Sequence, residues 1–285
     1  LAVGRVLETQ LGYDVQLLPV NRSGCVEMAT LESALDDHVL VVSIMAVNNE
    51  IGTIQDLGSL AKTIRDAGAF LHCDAAQTPL AIDIALFADG IDMISLSSHK
   101  MGGPKGIGAL YVRRDLQKQI EPLIYGGGQQ NGLRSGTVPV ALCVGMGAAS
   151  SLCRSSEAVH ERRQIARIRD SFVYSLMELP WEISLNGPEK SMRHPGNASI
   201  SFKGFLAHDI LGTLQPYLAA STGSACASGI EEPSHVLTAI GLSDEDAAAS
   251  IRFSIGRKTT EGDMQEAVSL IKDTLEKLGR KSAEV

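Results

Sequence analysis

The chain switches repeatedly between short unbroken apolar runs and apolar positions at helical spacing. Val39-Leu40-Val41-Val42, extending through Ser43 to Ile44, is a continuous run of the kind a fully buried strand shows. Asp56 then stands as a helix N-cap, with Leu57, Leu60, Ala61 and Ile64 on one helical face. Ala69–Cys73 and Met93–Leu96 predict two further strands, and Ile107–Val112 returns as another after a glycine turn. Asp14–Pro19 reads as a short strand ahead of them. Repeated β-α-β units of this kind predict an α/β fold, a largely parallel sheet with helices on both faces. Ligands of such sheets lie outside the carboxyl ends of the strands. Asn48-Asn49-Glu50, Asp74 and Ser97–Lys100 all follow strands and are expected at one edge.

A charged stretch, Arg154–Arg169, reads as a solvated helix leaving a first domain. It divides the chain into a larger domain, 1–157, and a smaller C-terminal α+β domain, 158–285. Strands are expected there at Ala198–Phe202 and Ile251–Ile255. The last helix starts near Thr260, with Asp263 as a capping-box acid and Met264, Ala267, Val268, Ile271 and Leu275 along one face. At the other end Val6, Leu7 and Leu11 share a helical face, and Leu1 falls inside that helix, which implies a preceding segment and leaves targeting unread.

Composition narrows the function classes. Net charge is −8 over 285 residues, which argues against a nucleic-acid or anionic-membrane surface. The most apolar long run, Val138 to Cys153, is broken by Pro139, Gly145 and Gly147 and is too short to span a bilayer. The five cysteines (Cys25, Cys73, Cys143, Cys153, Cys226) are widely spaced without a C-x-x-C pair, so neither a metal site nor a disulfide framework is indicated. A reducing compartment fits, cytoplasmic or an organellar matrix.

The chemistry concentrates after the strands. An acid at one apolar strand end, Asp74, and a lysine after the next, Lys100, is the layout of a pyridoxal phosphate site. The carboxylate would keep a ring nitrogen protonated, and the amine would form the Schiff base. The glycines Gly102, Gly103 and Gly106 are expected to let the backbone approach a bulky ligand. Lys100 alone would also suit a solvated loop, Asp74 a helix N-cap, and Gln77 a first-turn position. Cys226 sits among small residues, Ser221-Thr222-Gly223-Ser224-Ala225-Cys226-Ala227-Ser228, where a thiolate is accessible as a nucleophile or an incidental thiol is tolerated. Arg252 alternates with Ile251 and Phe253 on a strand, suited to grip a carboxylate or to form a surface ion pair.

Together these residues resemble the cysteine desulfurases, class-V-aminotransferase-like enzymes of the fold type I pyridoxal phosphate class. The resemblance is carried in order by Ser43 to Gly52, Asp74-Ala75-Ala76-Gln77, Ser98-His99-Lys100, Gly103 to Gly108, Gly126-Gly127-Gly128, Arg134-Ser135-Gly136-Thr137, Pro195-Gly196-Asn197, Gly223 to Cys226 and Ile251 to Ser254. It implies that Lys100 is the Schiff-base lysine, Asp74 the ring-nitrogen partner and Gln77 a contact of the ring hydroxyl. Asn49 would lie beside cofactor and substrate carboxylate, Ser97 and His99 on the phosphate, and Arg252 on the substrate carboxylate. Thr137 would reach the phosphate of the other subunit of a homodimer. Cys226 would take sulfur from L-cysteine as a persulfide and pass it to an acceptor or scaffold protein, for iron–sulfur cluster assembly or thiolation. The resemblance also implies an upstream segment with a phosphate-binding threonine and a ring-stacking histidine. A selenocysteine lyase, an aminotransferase and a non-catalytic binding fragment are the competing readings.

Overall fold

Four of the apolar runs pair into one sheet. The computed structural model describes residues 2–83, 90–223 and 233–283. Strands β1 (Val41–Met45), β2 (Phe70–Asp74), β3 (Met93–Ser97) and β4 (Gly108–Val112) lie in that order. β1, β2 and β3 are parallel, and β4 runs antiparallel to β3. The helices of this half are α1 (Ala2–Leu11), α2 (Met28–Ala34) and α3 (Leu57–Asp66). Asp56 caps α3 by accepting from the Ser59 amide at 3.3 Å, as its side-chain chemistry predicts. The α3 stripe Leu57, Leu60, Ala61 and Ile64 is buried against Val42, Ile44, Leu71, Cys73 and Ile94 of the sheet. Each large side chain so buried contributes about 1.5–3 kcal/mol. Buried Asp92 accepts from the Leu71 amide at 2.7 Å and pairs with Arg113 just past β4, tying three strands together.

The second half builds a separate antiparallel sheet. Its strands are β5 (Ile183–Leu185), β6 (Asn197–Phe202), β7 (Ser221–Thr222) and β8 (Ser250–Ser254), in the spatial order β5-β6-β8-β7. Helices α4 (Val140–Cys153) and α5 (Ser156–Met177) lead into it, and α6 (Ala207–Leu214), α7 (His235–Ala239), α8 (Asp244–Ala248) and α9 (Glu261–Ala283) complete it. Phe172 of α5, Phe202 of β6 and Phe253 of β8 stack edge to face, with the Phe172 and Phe253 centroids 5.2 Å apart. Ile210, Ile271 and Leu275 close this core. The capping box at α9 forms as read: Thr260 N donates to Asp263 Oδ2 at 2.8 Å and Asp263 N to Thr260 Oγ1 at 3.1 Å.

Two expectations fail. Asp14–Pro19 is not a strand; only Val20 and Val26 make a bridge nearby, because no neighbouring strand pairs with the 14–19 alternation. The 154–169 stretch is not wholly solvated. Arg169 is 1% exposed, bonded to Asp170 Oδ1 at 2.6 Å and to the His194 carbonyl at 3.1 Å, because α5 turns it toward the second sheet. The α1 helix forms as expected, but none of its residues is buried. No helix among the described residues is long and apolar enough to cross a membrane.

Candidate active site

The parallel register sets the site edge. Met45, Asp74 and Ser95 are paired across β1, β2 and β3, so β1 and β2 end together and β3 runs two residues further, to Ser97. Each then leads into a turn that carries a predicted site residue. After β1, Asn48 folds a tight turn by accepting the Glu50 and Ile51 amides on Oδ1 at 2.8 and 2.9 Å, which places Asn49 at the rim. After β2, Asp74 Oδ1 accepts from the Ala76 amide at 2.9 Å. Asp74 thus closes a turn rather than capping a helix, since the next 3₁₀ turn, Thr78–Leu80, starts from Gln77, and the bond fixes a half-buried carboxylate at the strand end. Gln77 lies in the same turn, half-buried. After β3, Ser97 Oγ lies 3.0 Å from His99 Nδ1, and Lys100 is exposed in a single 3₁₀ turn, Ser98–Met101.

Gly102 ends that 3₁₀ turn with φ +85°, a conformation that favours glycine. Gly103 also has a packing reason of its own. A Cβ there would collide with Ser98 Oγ, so the missing side chain serves the turn's own packing.

The second half adds Arg252. Its Nη1 donates to the Asn49 carbonyl at 3.2 Å and its Nη2 to Ser221 Oγ at 2.9 Å. Two residues that sequence reading assigned to one carboxylate, 203 positions apart, are thus in direct contact. Thr137 is exposed on the loop before α4, and among the described residues no hydrogen bond joins it to the other site residues. Cys226 lies outside the described residues.

Sequence reading missed His72. It stands two residues before Asp74 on the same sheet face, with Nδ1 2.8 Å from Ser43 Oγ and Nε2 2.8 Å from Ser95 Oγ. Burial pulls its pKa below the usual histidine range, against the opposing charge of Asp74. The strand alternation that puts Ser43, His72 and Ser95 on one sheet face was the available signal. Neighbouring Cys73 faces the core, where burial, with Asp74 adding, pushes its thiol up to about 12 and leaves it inert at neutral pH.

A scan against family models matches residues 3–266 to Aminotransferase class-V. The chain belongs to the aminotransferase class-V family. It is 43% identical over 273 residues to the cysteine desulfurase IscS of Rickettsia prowazekii (strain Madrid E), covering 96% of this chain and 66% of that protein. It therefore spans about two-thirds of the length of the curated relatives it matches. A solved NifS-like protein superposes with a TM-score of 0.85 at 32% identity, over 94% of this chain and 70% of that one. The structure of SspA in complex with cysteine superposes with a TM-score of 0.73 at 32% identity, over 91% and 71% of the two chains. These likenesses bear out the expected α/β architecture of a fold type I pyridoxal phosphate enzyme.

Class-V aminotransferases depend on pyridoxal phosphate. The donor set at this edge fits that group: a fixed carboxylate for the ring nitrogen (Asp74), an exposed primary amine one strand over (Lys100), a paired hydroxyl and imidazole for a phosphate (Ser97, His99), and a half-buried amide for the ring hydroxyl (Gln77).

Proposed function

We propose that this chain carries out cysteine desulfuration: L-cysteine is converted to L-alanine, and the sulfur is held as a persulfide on Cys226 for transfer to an acceptor. The observation that supports this best is the meeting of Asp74, Ser97, His99 and Lys100 at one sheet edge, with Arg252 bonded to the Asn49 turn beside them. The likeness to IscS proteins and to SspA in complex with cysteine supports the same substrate.

Pyridoxal phosphate, when bound, supplies an electron sink that makes the substrate's α-proton acidic and its C–S bond cleavable. Arg252 and Asn49 orient the substrate carboxylate. Asp74 holds the ring-nitrogen proton. Lys100 would serve as the base that moves the α-proton. The Cys226 thiolate attacks the substrate sulfur, so an S–S bond forms as the C–S bond breaks. The carbon keeps the electron pair and takes a proton to become alanine. The persulfide then passes its outer sulfur to an acceptor or scaffold protein, for iron–sulfur cluster assembly or thiolation.

The division into 1–157 and 158–285 is the domain boundary that goes with this reading, since each part holds its own core. A homodimer, with Thr137 reaching the partner's phosphate, is supported by α4. That 14-residue helix has no charged side chain, and Val140 and Val144 are 68% and 67% exposed, one turn apart and directly after Thr137. A cytoplasmic location is supported by Cys25, Cys73, Cys143 and Cys153 all being unpaired thiols.

The test is an absorbance spectrum of the purified chain with pyridoxal phosphate, before and after L-cysteine. A visible cofactor band absent in Lys100→Ala, with alanine and sulfide formed only when Cys226 is present, is the expected result. Turnover unchanged in Cys226→Ala overturns the nucleophile assignment. A strict need for a keto-acid acceptor means an aminotransferase, and faster selenide than sulfide release means a selenocysteine lyase. A chain that stays colourless supports the binding-fragment reading.

A further inference from the structure

The turn that carries Asn49 gives four consecutive carbonyl oxygens to the C-terminal half. Asn49 O accepts from Arg252 Nη1 at 3.2 Å, Glu50 O from Asn197 Nδ2 at 2.9 Å, Ile51 O from Arg193 Nη1 at 2.7 Å, and Gly52 O from the His194 amide at 2.7 Å. Asn48 occupies two of the turn's amides from within. The turn's shape is thus set locally, and its place is set by residues 193–252.

Asn197 is the centre of this grip. Its Oδ1 accepts from Arg193 Nη1 at 3.1 Å, so both ends of its amide are committed. It packs so closely on the turn that a Cβ at Gly52, φ +75°, would lie 2.8–2.9 Å from its side chain. Asn197 begins β6, where its backbone pairs with Ser254 of β8, and Arg252 is two residues away on that same strand. One side chain therefore ties the Asn49 turn to the strand that carries Arg252.

We propose that Asn197 is a positioning residue, acting through the turn to fix the spacing of Asn49 and Arg252. The proposal rests on the desulfurase reading in one respect, that those two residues take the substrate carboxylate. A carboxylate is gripped equally in ground state and transition state, so loosening the grip raises KM and leaves kcat nearly unchanged.

The test compares Asn197→Ala with Asn186→Ala in the cofactor-loaded chain. Asn186 is a buried asparagine of the same region whose side chain bonds Ser250 Oγ at 2.9 Å and does not touch the turn. Asn197→Ala is expected to keep the cofactor band, to raise KM for L-cysteine about tenfold with kcat within about threefold, the scale of one buried hydrogen bond. Amide exchange at residues 50–53, read by mass spectrometry without cofactor, is expected to rise in Asn197→Ala and not in Asn186→Ala. An unchanged KM in Asn197→Ala, or an equal rise in Asn186→Ala, overturns the proposal. If the parent chain binds no cofactor, the desulfurase reading fails on its own. The exchange arm then decides alone: unchanged exchange in Asn197→Ala overturns the positioning role, and a selective rise upholds it.

Discussion

Arg193→Met should cost roughly 3–5 kcal/mol, the scale of breaking a buried charged network by removing one partner. Arg193 is 3% exposed and, among the described residues, forms no salt bridge; its guanidinium donates to Ile51 O, Asn186 O, Pro188 O and Asn197 Oδ1. Truncation strands four buried acceptors, at about 1–3 kcal/mol each. Against that, burial and the neighbouring Arg169 charge pull Arg193 from 12.5 to about 9, so removing the cation returns part of this cost. The guanidinium stays charged at neutral pH, and its hydrogen bonds have to outweigh its desolvation. Urea unfolding followed by circular dichroism measures the difference through Cm at constant m. A loss below about 1 kcal/mol would mean that water replaces the guanidinium at no cost, and the buried-clamp argument would be refuted.

His194 accepts the Gly196 amide on Nδ1 at 3.0 Å, and burial with the Arg169 charge depresses its pKa to about 4. The unfolded chain takes up its proton near pH 6.5, so the neutral ring's contribution is complete above that pH and fades toward pH 4; the parent should lose about 3 kcal/mol across the window, and His194→Gln should flatten that slope in pH-dependent urea melts. Gly52→Ala, at φ +75° and against the Asn197 side chain, should destabilise by about 2–4 kcal/mol, read as a fall in Tm; a neutral substitution would refute the close approach. Asp92→Asn weakens the Arg113 pair and the bond to the Leu71 amide and should cost about 2–3 kcal/mol, with Asp115→Asn, an exposed partner of Arg113, costing under about 1 kcal/mol in the same melts.

Local chemistry was legible wherever a residue acts on its own neighbourhood. Asp56, Thr260 and Asp263 were readable because a cap depends on residues three apart, and the α3 stripe because one helical face meets one sheet. The strand ends that carry Asp74 and Lys100 were readable because parallel β-α-β units put them on one edge. Arg169 was misread as solvated because a charged run shows nothing of which turn of the helix meets the second core. Arg193 and Asn197 were invisible as site residues for a stronger reason. Their partners in the Asn49 turn lie 142 and 147 positions away, and no spacing rule reaches that far.

The polar face of β6 shows how the second half fixes its own register and, through Asn197, reaches the first. Alternation sends Ala198, Ile200 and Phe202 into the second core and Asn197, Ser199 and Ser201 to the other side, and that side is buried as well. A buried row of hydroxyls and amides is costly unless each finds a partner. Here Asn197 bonds Glu50 O, Ser201 bonds the Asp246 carbonyl, and Asn186 reaches Ser199 and Ser250. An apolar face would tolerate sliding by a few ångströms, whereas this one leaves donors and carbonyls unpaired as soon as it slips. The hydrogen bonds therefore contribute more to specificity than to net stability. Of these bonds only that of Asn197 to Glu50 O crosses to the first half, and with Arg193 and Arg252 it fixes the Asn49 turn against the strand that carries Arg252.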